Sequence, residues 1–369
     1  MSRSLVIALA LLLLPWRAGA QELGSLPPPA ADAQVFEAMQ AEMTRSLKRL
    51  KVDDFKAPYY LAYRLVDEAS LRLVSAYGAA VRAEREEDRT LYVEARVGDE
   101  TLDNTDLAYH GKSGSAAVEP QVLRHHLWSL TDEAYKAAVA GFLEKKAKKA
   151  TELDRDKLDD LSREPAYTAS TPNPAMDLDG KALRTVLQAA SGQFKRHPWI
   201  HGSYAYLSIE RARRYLLTSE GTRIASPYEN APVVLVLSAW TRAEDGMRVD
   251  NRRSWAAQTP KQLPPLEELL KAGEALAKEL KAAREAPLQP PLSAPAIVDP
   301  EFAGVLFHEA LGHKLEGQRQ RDPQQSQVFK DLVGKIIIPG FLSLIDDPTM
   351  AEYAGAPLHG HYDFDAEGV

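Results

Sequence analysis

Three features of the sequence predict an α+β fold. There are stretches whose apolar residues recur at steps of three and four, two groups of Tyr-, Val- and Leu-rich stretches bounded by turn residues, and a proline-rich break after which a further helix begins. The first feature marks long helices and the second an antiparallel sheet. The third separates an N-terminal domain from the start of a C-terminal one.

The first helix follows Asp32, which is placed to cap it, and Phe36, Met39, Met43, Leu47 and Leu50 give it a core-facing stripe. Tyr59 to Val66, Leu71 to Val81 and Thr90 to Val97 read as strands of one antiparallel sheet. A second helix, Thr131 to Leu153, carries the run Lys145-Lys146-Ala147-Lys148-Lys149. Surrounding acids at Glu144, Glu152, Asp154 and Asp156 mark that run as a solvated face. Residues 165 to 180 are loop-like. A second strand group follows: Tyr204 to Ile209, Arg213 to Thr218, Arg223 to Ala225, Val233 to Trp240 and Met247 to Trp255. Within it Ser219-Glu220-Gly221-Thr222 forms a hairpin turn, with Gly221 free to take positive φ. Leu266 to Glu285 is a third long helix. After the prolines, Ala296-Ile297-Val298 reads as a short strand, and Asp299-Pro300-Glu301 starts a helix with a capping aspartate, proline at the first helical position and an acid.

Composition bounds the function. The chain opens with Met1-Ser2-Arg3-Ser4, an apolar run from Leu5 to Leu14, a Pro15 break and the small-residue triplet Ala18-Gly19-Ala20, the layout of a cleaved secretory signal peptide over residues 1–20. That run is too short to span a bilayer and no later stretch is long enough, so a periplasmic or secreted protein with no membrane attachment after cleavage is expected. Removing residues 1–20 takes away Arg3 and Arg17 and no acid, which moves the net charge from −7 to −9, and nothing favours nucleic acid. The chain has no cysteine, so its stability rests on packed cores and a metal site must use His, Asp or Glu. The remaining length suits two domains. We expect a disordered proline-rich segment at 21–31, an N-terminal α+β domain at 32–286, a proline-rich linker at 287–295 and a partial C-terminal domain at 296–369.

The candidate chemistry lies in Phe307-His308-Glu309-Ala310-Leu311-Gly312-His313-Lys314-Leu315-Glu316-Gly317. Neutral imidazoles suit Zn²⁺, and a carboxylate beside the ion can take a proton from a bound water. On a regular helix, residues five apart lie about 140° apart in azimuth, against about 40° for the commoner four-residue spacing. A π-type turn would bring His308 and His313 together, and Gly312 would ease the distortion and let the backbone pass close to the ion. Glu309 falls between the two histidines, where a general base belongs. Phe302, Val305, Leu306 and Phe307 imply that the helix is buried. Glu316 is a candidate partner that would fix the tautomer of a ligating imidazole, or an extra ligand, and His359-Gly360-His361 offers two further imidazoles. Two other stretches, Asp346-Asp347 and Asp363-Phe364-Asp365-Ala366-Glu367-Gly368, are acidic and turn-rich without the spacing of a calcium loop.

Gly304 to His313 with Leu315-Glu316-Gly317 resembles the signature helix of the TldD/PmbA family of bacterial zinc metallopeptidases. Asp346-Asp347-Pro348-Thr349 and the stretch from Asp363 to Val369 resemble its acidic strand-and-turn region, and Ser219-Glu220-Gly221 a turn of its first domain. The resemblance implies that His308 and His313 bind zinc and that Glu309 activates a metal-bound water. It also implies peptide or unfolded-polypeptide substrates, cut inside a closed homodimer or a heterodimer with a related subunit. The family's third zinc ligand is a cysteine from a portion beyond the acidic turn. With no cysteine here, the expectation is a chain lacking that portion, or a site completed by a partner or another residue. An exported branch is a second departure, since the best-known relatives are cytoplasmic. The alternatives are a non-catalytic peptide-binding or partner subunit, a truncated inactive homologue, and a metal-binding periplasmic protein without turnover.

Overall fold

The computed structural model describes residues 24–52, 55–105, 111–149, 159–173, 175–227, 233–317, 319 and 327–369. The expected signal peptide, 1–20, lies outside the described residues. Over the described residues the fold is α+β, as predicted. In chain order the N-terminal part comprises α1 (Asp32–Arg49), β1 (Tyr60–Ala76), β2 (Ala79–Arg96), β3 (Lys112–Ser115), α2 (Pro120–Lys149), β4 (Thr168–Ser170), α3 (Gly180–Gly192), β5 (Gly202–Thr218), β6 (Arg223–Pro227), β7 (Val233–Arg242), β8 (Arg248–Ala257) and α4 (Leu266–Glu285). After α4 come α5 (Pro300–Phe307), a π-helical turn (His308–Gly312), α6 (His313–Leu315) and a small hairpin of β9 (Glu352–Tyr353) and β10 (Ala356–Pro357).

One sheet, not two strand groups, holds the N-terminal strands together. Its order is β3-β2-β1-β5-β6-β4, with β7 also pairing β5, and β8 pairing β7. Every pairing is antiparallel except β4 with β6. Along the edge of β5 away from β1, Gly202 to Ile209 pair with β7 and Arg213 to Leu217 with β6, so the sheet forks.

The expected break between Val66 and Leu71 is absent: β1 runs straight through Asp67-Glu68-Ala69-Ser70 and turns only at Tyr77-Gly78, both at positive φ. Likewise Tyr204 to Ile209 and Arg213 to Thr218 are one strand. The reason is the same in both. Arg211 Nη2 donates to Asp67 Oδ1 across 3.2 Å with both side chains at 0% exposure, so the charges that look like strand breakers neutralise each other inside.

Odd-numbered residues of β1 face the helices and build two cores. Leu61, Tyr63 and Leu65 pack with α1, α2 and the C-terminal half of β5; Ala69, Leu71 and Leu73 pack with α3, α4 and the N-terminal half of β5. Asp67 and Arg211 lie on the seam. The segment before α1 fills the same seam, which overturns the expectation of disorder at 21–31 for its described part. Leu26 is fully buried and bridges Met176, Ala30 N–H donates to Asp67 Oδ2 at 2.8 Å, and Tyr215 OH donates to Ala30 O. Prolines 27 to 29 hold this stretch extended, which lowers the entropic cost of docking it.

Asp32 does not cap α1. The N-cap is Ala31 with no side-chain cap, and the Asp32 carboxylate instead accepts from Arg213 at 2.7 and 2.9 Å and from Ser170 at 2.7 Å. The second helix begins eleven residues earlier than expected, at Pro120, because Leu123 and Leu127 continue its buried stripe. Lys145 leaves the expected solvated face to meet Asp160 at 2.6 Å. Helix α3 was not expected; Asp179 caps it by accepting from Ala182 N, and Leu187 and Ala190 bury its inner face. The stretch from 286 to 299 forms no strand, so Ala296-Ile297-Val298 is irregular.

The chain after α4 meets the opposite, even-numbered face of the sheet. Arg252 of β8 pairs with Glu301 of α5 at 3.8 Å, Arg214 donates to Phe364 O and Arg64 to Ala366 O. Gly368, at φ +88°, packs so closely on Leu216 and Thr222 that a Cβ there would lie 2.8 Å from both.

Candidate metal centre

Local sequence starts the helix that carries the motif. Asp299 caps it by accepting from Phe302 N at 2.8 Å, and Pro300 at the first helical position is missing only an N–H that would have no helical partner. The helix is regular to Phe307 and then widens. His313 N–H donates to His308 O, the five-residue bond of a π turn, and the wide turn spans His308–Gly312.

The wider turn brings the two imidazoles to one side, with ring centroids 4.5 Å apart and planes at 71°. Between them, Glu309 Oε1 lies 3.9 Å from His308 Nε2 and Glu309 Oε2 lies 3.9 Å from His313 Nε2. One donor atom from each of the three residues falls within 4.8 Å of the others. Gly312 is itself helical (φ −50°), and a Cβ there would meet Phe307 O at 3.9 Å, an ordinary contact, so the local backbone conformation does not require glycine.

Glu316 ends the helix with ψ 120° and turns its carboxylate back. Its Oε1 lies 2.7 Å from His313 Nδ1 and its other oxygen accepts from Arg319 Nε. The hydrogen bond from His313, then that from Arg319, hold the Glu316 carboxyl below its ordinary pKa. A negative acceptor at Nδ1 favours the tautomer with its proton there, whose Nε2 lone pair lies on the side of Glu309. Arg319 was not anticipated, although its three-residue spacing from Glu316 was in plain sight.

Among the described residues, the group able to hold an ion comprises His308, Glu309 and His313. His359 and His361 are not brought to it: His359 Nδ1 faces Gln258 at 3.5 Å, and His361 Nδ1 faces Leu358 O at 2.8 Å beside the β9–β10 hairpin. The expected burial of the helix is also overturned. Phe302, Val305, Leu306 and Phe307 are exposed, as are His308 (63%) and Glu309 (65%), while Leu311 alone of the motif is buried. The apolar run signals a helix that needs a cover, and the other described elements of the chain do not cover it.

Two imidazole nitrogens and a carboxylate form a donor set that zinc accepts. Their separations, with the Glu316 carboxylate set against His313 Nδ1, suit an ion held on the Nε2 side. The set is short in number, because catalytic zinc takes three protein ligands besides water and a basic Glu309 leaves two.

Comparison with known proteins finds metalloprotease relatives. Residues 291–369 match the PmbA/TldA metallopeptidase C-terminal domain. A metalloprotease of Methanothermobacter thermautotrophicus is 27% identical over 297 residues, covering 77% of this chain and 61% of that protein. A metalloprotease TldD homolog of Buchnera aphidicola is 34% identical over 62 residues, 17% of this chain and 12% of the homolog. The chain thus spans about three fifths of the first relative's length. A solved structure from Bacteroides thetaiotaomicron, titled a modulator of DNA gyrase, shares the fold at a TM-score of 0.54 and 12% identity, covering 91% of this chain and 67% of that one. The class is metallopeptidase-related. Over residues 291–369 the chain is similar to the TldD/PmbA family, in agreement with the resemblance read from the motif.

Proposed function

We propose that this protein is a zinc-dependent peptidase of the exported kind, in which His308 and His313 hold the ion and Glu309 is the general base. The observation that carries the reading is the π turn at His308–Gly312, which places a carboxylate 3.9 Å from each of two convergent imidazole nitrogens. Zinc held there would supply Lewis acidity and raise the acidity of water. Glu309 takes the proton that water gives up as it attacks the peptide carbonyl, then passes it to the leaving amine. Glu316 keeps the His313 proton on Nδ1, so that Nε2 stays a ligand.

The metalloprotease names of the relatives support peptide or unfolded-polypeptide substrates for this chain. Exposed Phe302, Val305 and Leu306 beside the motif support a second copy or a related subunit as the cover of the site. The apolar run from Leu5 to Leu14, followed by the small-residue triplet Ala18-Gly19-Ala20, supports export to the periplasm or beyond.

The test uses protein recovered from its own cells, with any partner it carries. Zinc should be present, unstructured peptides should be cleaved, and Glu309→Gln should retain zinc while hydrolysis falls at least about 100-fold. Near wild-type hydrolysis by the zinc-loaded variant would sink the general-base assignment. Zinc without turnover in the wild type would favour a non-catalytic subunit.

A further inference from the structure

Resting on the metal reading above, we propose that Arg319 is a positioning residue for His313, acting through Glu316, and that Glu316 is withheld from the ion as a ligand. The two oxygens of Glu316 have separate partners: one faces His313 Nδ1 at 2.7 Å and the other accepts from Arg319 Nε. The backbone closes the same loop, since Arg319 N–H donates to Glu316 O at 3.2 Å. The chain leaves the helix at Glu316, and the turn carries Arg319 back over the carboxylate it has just passed. A carboxylate gripped in this way points at the back of the imidazole, away from the Nε2 side that Glu309 shares.

An ion pair between half-exposed side chains three residues apart adds little to stability, so its effect should be felt at His313. Without Arg319 the carboxylate is free to swing. The neutral imidazole then divides its proton between two nitrogens, and the Nε2–H form cannot bind an ion through Nε2, the nitrogen on the Glu309 side. Partners of this kind are worth about 10- to 100-fold in metal affinity.

Two measurements on the full chain test the clamp. In metal-free protein at alkaline pH, long-range ¹H–¹⁵N correlation should find His313 as the Nδ1–H tautomer, and Arg319→Gln and Glu316→Ala should shift it towards Nε2–H. Chelator competition should then show Zn²⁺ bound about 10-fold more weakly by Glu316→Ala and several-fold more weakly by Arg319→Gln, with part of the loss recovered in Arg319→Lys. Glu316→Gln keeps an oxygen acceptor for Nδ1–H, so its Co²⁺ form should keep the position and intensity of the visible bands. A wild-type tautomer and affinity in Arg319→Gln overturns the clamp. Altered Co²⁺ bands in Glu316→Gln overturn the exclusion of Glu316 from the ligand set. Failure of the wild type to bind Zn²⁺ or Co²⁺ overturns the metal reading itself, while the metal-free tautomer still reports on the clamp separately.

Discussion

Asp67 and Arg211, 144 residues apart in sequence, meet at 3.2 Å where the two apolar cores would otherwise fuse, and neither side chain reaches solvent. Arg89 adds a second positive charge at 3.5 Å from the same Asp67 oxygen, and Ala30 N–H occupies the other. Removing one partner of a fully buried pair strands the other's charge. Asp67→Ala should therefore cost about 3–5 kcal/mol in urea unfolding, while Asp67→Leu with Arg211→Met should recover much of that loss. A loss below about 1 kcal/mol in the single variant would show that water reaches the seam.

The Asp32 carboxyl gives the fold an acid limb. Its partial burial pushes the pKa up, but hydrogen bonds from Arg213 and Ser170 and the Arg213 charge outweigh this, and the net shift is downward. A depressed folded pKa means stability that is present above the unfolded value, about 3.9, and lost as pH falls through the folded one. Urea midpoints measured between pH 6 and pH 2 should fall on this limb, and Asp32→Asn should flatten it. An unchanged slope in the variant would remove Asp32 from the account.

Gly312 is helical, and a Cβ there would meet Phe307 O at an ordinary 3.9 Å. Gly312→Ala should leave zinc affinity unaltered and add roughly 0.5–1 kcal/mol to local helix stability, the usual difference between these residues inside a helix. Deleting Gly312 is a harsher test. The histidines then stand four apart, where a regular helix aligns them without a π turn, so zinc affinity should stay within about 10-fold of wild type. Loss of binding on deletion would mean that the wide turn itself shapes the site.

The turn after Asp363 is held by backbone carbonyls of Phe364 and Ala366 on Arg214 and Arg64, with Gly368 pressed onto Leu216 and Thr222. Gly368→Val meets both the positive φ and the 2.8 Å contacts. Hydrogen exchange across 363–369 should accelerate about 10-fold or more in this variant while β1 and β2 keep their protection. Unchanged exchange would show that the turn holds without the glycine.

What could be read in the sequence was chemistry that acts at short range. The Asp299-Pro300 start of α5 and the need for a π turn between His308 and His313 follow from three to five residues of spacing, and Gly221 sits at φ +107° in its expected turn. Other features were set by distant partners. The continuity of β1 depends on Arg211, the place of Asp32 on Arg213, and the order of Leu26 to Ala31 on a groove built by β1 and β5. Helix α3 was hidden because its buried stripe is only two large steps long. The exposure of Phe302 to Phe307 was illegible for a different reason: an apolar pattern states that a face needs a cover and says nothing of which chain provides it.

Strand β5 lends its first half to one core and its second half to the other while β1 lines both. The fork therefore denies this part of the molecule modularity. A recombination or a protease cut anywhere from 202 to 218 takes a wall from each side at once, so neither half is an exchangeable piece that evolution or a protein engineer could trade alone. Variation is instead channelled to the rims of the sheet and to the loops that join them.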